Sequence, residues 1–525
     1  MAVLLLTALP AYRLTAQCPD GAPPPCRTTT LAARAPAAPP PPLSIAVLPF
    51  ESRSPDSSDA YLADGMTEEI ANRLTRVNRL QVKARGLVGA QWRRTPEPFA
   101  AARGLGVAWF VHGNVRHVGG QLLVNVELVR ATTGEEAWAT RFPRRDADVF
   151  AVQAEIAESV AVVVGGRLTP GEQATITRRP TLNNEAYRLY LYGNSLLGRR
   201  TEREVGLAVE AYERAVVLDP SYASAWARIG IARSIQSSWG WGASLSRDSL
   251  MALSRACARR ALSLDSTSAD AWLALGNTEA DVGNLGAAHE AFERAIRLDS
   301  LNPENFHLYA STMYSGDCSG ACLTIESAAV PLLRRALALD PTLRNTWRHL
   351  ATVVRDVGRL AEAEAYLDTA LALGTWPPAA GDRAYIRFLR GNLAGAQQDY
   401  EAGQGAPQNR LFLPQLLRMA AGDSVPARQL LDTLRVKRTP DTDDVGRRAI
   451  MAAALGLRDE ALDALEQLRA MASPGGEARC SATVLCTPSI VTWQTIHDPI
   501  FTPLHGDPRF QRLWNETRPI VPWLP

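Results

Sequence analysis

The spacing of apolar residues along the chain changes character part-way through. Ser44-Ile-Ala-Val-Leu-Pro-Phe50 is an apolar run of strand length, and a polar loop rich in Ser and Asp follows it. From about Ala60 to Leu80 the apolar positions Leu62, Met66, Ile70, Leu74 and Val77 recur at helical spacing. Glu68, Glu69, Arg73 and Arg76 fall on the other side, which predicts a helix with one solvated, charged face. A short strand over Leu80 to Ala84, a helix over Pro98 to Leu105, and strands over Val107 to Val118, Gln121 to Ala131 and Ala137 to Phe142 come next. Gly119-Gly120 and Thr133-Gly134 supply the tight turns of a meander. A helix over Asp146 to Leu168 completes the order β-α-β-α-β-β-β-α, an α/β domain spanning residues 43–168. Beyond it the period is that of helices alone.

From Asn183 onward, aromatic, glycine, alanine and proline positions recur. Trp272, Leu275, Gly276, Ala288, Phe292 and Ala295 form the clearest unit, and Phe306 follows Trp272 at a spacing of 34. Small residues at Gly276 and Ala288 let two helices touch, and the aromatics fill their interface. Earlier copies carry Gly193, Ala208, Tyr212, Ala215 and Pro220, then Trp226, Gly230, Ala258 and Ala261. Later ones carry Phe306, Tyr309, Ala336 and Pro341, then Trp347, Leu350, Gly358, Ala363, Leu367 and Ala370. This pattern resembles the tetratricopeptide repeat and implies an all-α superhelix over residues 183–374, with degenerate helix pairs over 375–472. The degenerate pairs are marked by Gly391 with Ala396 and Tyr400, Gly422 with Ala427 and Leu431, and Gly456 with Ala461 and Leu465. Residues 473–525 include Asp498-Pro-Ile-Phe-Thr-Pro-Leu504 and Asp507-Pro-Arg-Phe510, read as a cap that covers the last apolar face with Phe501, Leu504, Phe510 and Leu513.

The α/β segment carries its own resemblance. Ile45-Ala-Val-Leu-Pro-Phe50, Leu62-Ala-Asp-Gly-Met-Thr-Glu-Glu69, Ala102-Arg-Gly-Leu-Gly-Val107, His112-Gly-Asn-Val-Arg116, the Ala131-Thr-Thr-Gly-Glu135 turn with Trp138, and Asp148-Val-Phe-Ala-Val-Gln153 resemble the TolB amino-terminal-like domain. That family is related in shape to CsgG and FlgO-type proteins and is found beside repeats in bacterial cyclases and Ser/Thr kinases. The resemblance implies an accessory α/β domain without established catalysis.

Charge and cysteine usage narrow the function. The 56 Lys plus Arg against 54 Asp plus Glu leave no large field to draw nucleic acid, so no nucleic-acid partner is expected. Only Lys83 and Lys437 are lysines, and neither sits in a P-loop, a kinase lysine motif or a Schiff-base setting. Six of the seven cysteines form close pairs in Gly, Pro, Ser or Thr-rich loops: Cys18 with Cys26, Cys318 with Cys322, and Cys480 with Cys486. They are candidate disulfides of an oxidising compartment, while Cys257 reads as a small core residue. Residues 1–17 hold a short apolar run and a small-residue end, read as a signal peptide or the remnant of a membrane anchor, and so a candidate membrane tether. Residues 18–42, dense in proline, read as an extended linker.

Catalytic constellations are not found. The loop Glu51 to Asp59 lacks the glycines of a phosphate cradle, and Asp56, Asp59 and Asp64 suit turns and caps. His112 and His117 point to opposite faces of a strand. Gly193-Asn-Ser-Leu-Leu-Gly198 is one residue too long for a nucleophile elbow. No metal, cofactor or catalytic residue is therefore assigned.

The expectation is a non-enzymatic, extracytoplasmic scaffold whose first helices of each pair line a concave wall. Tyr190, Asn194, Asn277, His307, Tyr314, Arg348 and Arg355 are the candidate wall residues for protein or peptide partners. Trp239-Gly-Trp241, in an insertion, is either a contact site or packed on a neighbouring repeat. The alternatives are a sensor, in which the α/β domain takes a small ligand, and an envelope assembly factor. Sequence alone leaves the oligomeric state open.

Overall fold

The computed structural model describes residues 39–54, 60–118, 121–145, 149–241, 245–281, 284–315, 322–356, 358–374, 376–403, 412–438, 440, 442–471 and 498–516. The candidate signal segment, nearly all of the linker, and Cys18, Cys26, Cys318, Cys480 and Cys486 lie outside them. Cys322 opens a helix, but its side chain is also outside the described set. Residues 41–525 divide as one unit from residues 1–40.

The α/β domain is built on strands β1 (Ser44–Val47), β2 (Glu51–Ser52), β3 (Gln81–Val82), β4 (Trp109–Val118), β5 (Gln121–Arg130) and β6 (Glu136–Arg145). They run in the order β3-β1-β4-β5-β6, with β2 also on β4. β1 is parallel to β3 and β4, whereas β4, β5 and β6 form the antiparallel meander. Helices α1 (Ala60–Thr75), α2 (Arg85–Arg94), α3 (Pro98–Leu105) and α4 (Val149–Gly165) cover the sheet. α1 and α4 bury Ile45, Val47, Val111, Val115, Val124 and Val126 on one face, and α2 and α3 bury Ala46, Leu48, Phe110 and Val129 on the other. α3 begins at Pro98 beneath the Glu97 carboxylate, which accepts from the Phe99 and Ala100 amides, and ends at Gly106 with φ 62°. α2 is an element that apolar periodicity missed, because Arg85-Gly-Leu-Val-Gly-Ala-Gln-Trp-Arg-Arg94 has only a short apolar stripe and two helix-weakening glycines.

After α5 (Pro170–Thr177), opened by a Thr169/Glu172 capping box, the described chain is a column of eight helix pairs. They are α6/α7 (Asn184–Leu197, Glu202–Leu218), α8/α9 (Ala223–Trp239, Arg247–Leu264), α10/α11 (Ala269–Asp281, Leu285–Leu298) and α12/α13 (Pro303–Ser315, Cys322–Leu339). Then come α14/α15 (Arg344–Asp356, Leu360–Ala372), α16/α17 (Pro377–Leu389, Leu393–Ala402), α18/α19 (Leu413–Ala420, Val425–Arg435) and α20/α21 (Thr442–Ala454, Arg458–Met471). A 3-10 turn at Pro499–Leu504 and α22 (Pro508–Glu516) close the array, with Phe501 and Phe510 fully buried against the last pairs. The fold is an α/β domain followed by a tetratricopeptide superhelix. No helix of the described residues is long and apolar enough to cross a membrane.

The recurring residues have a common physical job. Each early pair ends in Leu-Asp, and the aspartate accepts backbone amides of the next turn: Asp219 from Ser221, Asp265 from Thr267, Asp299 from Leu301 and Asn302, Asp340 from Thr342, all at 2.9–3.1 Å. One turn further on, the indole N–H of Trp226, Trp272 and Trp347 donates back to the carbonyls of Pro220, Ser266 and Pro341 at 2.9–3.0 Å. The repeated tryptophan therefore fixes the angle between one pair and the next as well as filling space.

A candidate partner-binding wall and its seam with the α/β domain

The first helices of successive pairs pack on one another, α8 on α10, α10 on α12 and α12 on α14, and so form a continuous wall. Asn277, His307, Tyr314, Arg348 and Arg355 sit on these helices and Tyr190 and Asn194 on α6, and each described one has a partner within the protein. Asn194 accepts from the Tyr212 hydroxyl at 2.8 Å. Tyr190 lies among Tyr187, Tyr212 and Tyr222, at centroid separations of 6.4, 6.0 and 5.2 Å, and burial pushes its hydroxyl up to about 12. The Asn277 amide donates to Ser234, tying α10 to α8. Tyr314 belongs to α12, with its side chain outside the described set.

His307 and His349 form the least expected part of the wall. Their rings stack at 4.9 Å and 14°. His307 meets Thr346 through Nδ1 at 2.9 Å and Asn345 through Nε2 at 3.2 Å, while His349 Nδ1 meets Ser311 at 2.9 Å. Burial, and then the neighbouring His349 and Arg200, hold His307 well below its ordinary 6.5. His349 is pushed down to about 3 by burial and by Arg348. Further along, Arg348 pairs with Asp382 at 2.5 Å, joining α14 to α16. Arg355 binds Asp356 at 2.7 Å beside the buried Tyr385–Asp498 hydrogen bond of 2.7 Å. Asn277, His307 and Arg348 thus tie neighbouring first helices together, whereas Asn194 bonds within its own pair and Arg355 within its own helix.

Trp239 and Trp241 stack on each other at 5.2 Å, and Trp239 lies 6.5 Å from Trp376 at the start of α16. Of the two readings of this insertion, the packed one describes it, although the neighbour it meets lies four pairs away. Cys257 is buried, its thiol pushed up to about 11 by burial, as befits a core residue.

The charged face of α1 differs from expectation. Arg73 is 2% exposed and donates to the carbonyls of Ile176 and Arg178, with Glu69 at 3.3 Å. This face is covered because the α/β domain packs on the array. Gly65 lies directly against Leu191 of α6, Tyr61 meets Tyr192 edge-on at 5.8 Å, and Phe150 of α4 stacks on Tyr187 at 3.8 Å. Tyr187 also donates to Gln153 at 2.8 Å. A second contact reaches the fourth pair, where Ala84 joins Phe306, Ala336 and Leu339, and Gly86 lies against Asp340. The alternation of apolar and charged residues along α1 gives no hint of this, because a helix's charged face reads the same whether water or another domain covers it.

The fold and wall define a class: a small α/β module seated on the first end of a tetratricopeptide array. A family model matches part of the array. Residues 269–300 match the tetratricopeptide repeat model. A Rhizobium meliloti (strain 1021) protein named "Putative adenylate cyclase 3" is 34% identical over 188 residues, covering 36% of this chain. The chain spans only about a third (32%) of that relative's length. Among solved structures, Pseudomonas aeruginosa PilF is similar at 20% identity and a TM-score of 0.30, covering 48% of this chain and 92% of PilF. Human IFIT1 is similar at 15% identity and 0.38, covering 62% and 77%. These two likenesses concern the helical fold alone.

Proposed function

We propose that this chain is a non-enzymatic, extracytoplasmic scaffold whose helical wall holds protein or peptide partners. The observation that carries this reading is the set of lateral ties, Asn277 to Ser234, His307 to Asn345 and Thr346, and Arg348 to Asp382. A wall braced in this way is preorganised, so a partner loses less conformational freedom on binding than it would against a loose surface. The α/β domain, which resembles the TolB amino-terminal-like family, acts as an accessory seated on the first pairs. The test is affinity capture from envelope extract with the intact chain and with Arg348→Glu plus Arg355→Glu. Partners retained by the intact chain and lost by a variant of unchanged helicity are the expected result. Equal recovery by both would remove the wall from the function.

A second reading makes the α/β domain a small-ligand sensor coupled to the array. The seam at Gly65, Tyr61 and Phe150 favours it, since a ligand-induced shift of α1 or α4 would be felt directly by α6. Thermal-shift screening against nucleotides and sugars separates the two, with saturable stabilisation assigning a sensor.

A further inference from the structure

The sheet has a region that no element of the described residues covers and that the scaffold reading leaves unused. On the face covered by α2 and α3, the cover ends at Phe110, against which Phe99 packs edge-on at 5.2 Å. Beyond it, the register aligns three cross-strand rows: His112, Glu127 and Ala139; Asn114, Asn125 and Arg141; Arg116, Leu123 and Pro143. The two-residue period places all three rows on the side away from α4. Arg116, Arg141 and Pro143 are exposed, and Asn114, Leu123 and Asn125 are half-buried.

We propose that this open half of the sheet docks an acidic peptide segment in extended conformation. The charges on the face are unequal. Its carboxylates are committed, Glu127 to His112 at 3.0 Å and Glu51 to Arg53 at 3.1 Å. Arg116 and Arg141 have no carboxylate partner among the described residues. They stand one row and two strands apart, about 7 Å along and about 10 Å across the sheet, so about 12 Å on the diagonal. Residues four apart on an extended peptide lie about 13 Å apart and on the same side. Two carboxylates at that spacing meet both guanidiniums, each able to bind a carboxylate in fork geometry. Between them Asn125 donates to Asn114 at 2.8 Å, leaving amide groups of both for the peptide backbone. Leu123 and Pro143 give the same strip an apolar row. The rows carry one ring, His112, already stacked on Phe110 at 5.6 Å, and not the series of aromatic faces on which successive bases of a single strand stack.

The proposal is independent of the helical wall and is tested on the full chain. The probe is a labelled nine-residue peptide of serine and threonine with glutamates at its third and seventh positions, read by fluorescence anisotropy at low salt. Arg116→Glu plus Arg141→Glu is expected to weaken binding at least tenfold with no change in melting temperature, because both side chains are exposed. Replacing the peptide's glutamates with glutamines gives the same loss, and Arg297→Glu, a solvated position of α11, leaves the affinity unchanged. Equal binding by the doubly substituted sheet overturns the proposal. So does tighter binding of an oligothymidylate, or of phosphatidylglycerol vesicles, than of the peptide.

Discussion

Gly193 shows how one missing side chain brings two helices together. A Cβ on Gly193 would lie 2.5 Å from the ring of Tyr212, and one on Gly276 would lie 3.1 Å from Phe292. Both rings are fully buried, so neither has room to retreat. Gly193→Ala is expected to cost about 1–3 kcal/mol in urea unfolding, whereas Gly206→Ala, in α7 with open space around it, is expected to add about 1 kcal/mol. The small-residue positions and the aromatics opposite them were readable from spacing alone. The stacked histidines were not, since His307 and His349 lie on different helices and only the packing of α12 on α14 joins them. Their titration gives a second residue-scale expectation. Unfolded, each imidazole takes a proton near 6.5, but in the native protein His349 does so only near 3 and His307 well below 6.5. Their contribution to stability is complete above pH 6.5 and declines as pH falls from there towards 3, by up to about 1.4 kcal/mol per pH unit for each. His307→Asn with His349→Gln should flatten the fall in urea midpoint between pH 6.5 and pH 4, and an unchanged slope would refute this assignment.

At the scale of elements, α1 serves two surfaces at once. Its apolar stripe of Leu62, Met66, Ile70 and Leu74 enters the sheet core as the helical period predicts. Its charged side carries Arg73 under α5 and Gly65 under α6, a contact that periodicity cannot register because it depends on where the following helices return. Gly65→Val would drive branched carbons into Leu191, whose methyl already lies 2.7 Å from an ideal Cβ. Loss of the seam should leave the α/β domain folded but uncoupled, so that one calorimetric transition for the domain and the first pairs becomes two. A single transition at unchanged temperature would show that the seam contributes nothing. The same limit explains why α2 escaped the pattern: its stability comes from Val88 packed under the sheet and from Ala84 and Gly86 against the fourth pair, both tertiary contacts.

At the scale of the whole molecule, the apolar core of the described residues falls into several clusters. One cluster runs from Ile45 of the sheet through the first three pairs to Tyr309 of the fourth. Another holds the last three pairs together with Phe501, Leu504, Phe510 and Leu513 of the cap. Between them the described residues of the fourth and fifth pairs form clusters around Leu333 and Leu350 and around Val354 and Leu367. In a linear array each pair is stabilised chiefly by its neighbours, so loss of a contact in the cap is felt first in the pairs beside it. Hydrogen exchange reads that locality directly, since each pair's amides open with their own free energy. Phe510 is the sharpest probe, being fully buried and contributed by the cap alone. Phe510→Ala is expected to destabilise the C-terminal block by about 3–5 kcal/mol and to accelerate exchange in α20 and α21, while protection in α1, α4 and α6 stays as in the parent. Uniform acceleration across the chain would mean that the array unfolds as one body, and that the division of its core has no thermodynamic consequence.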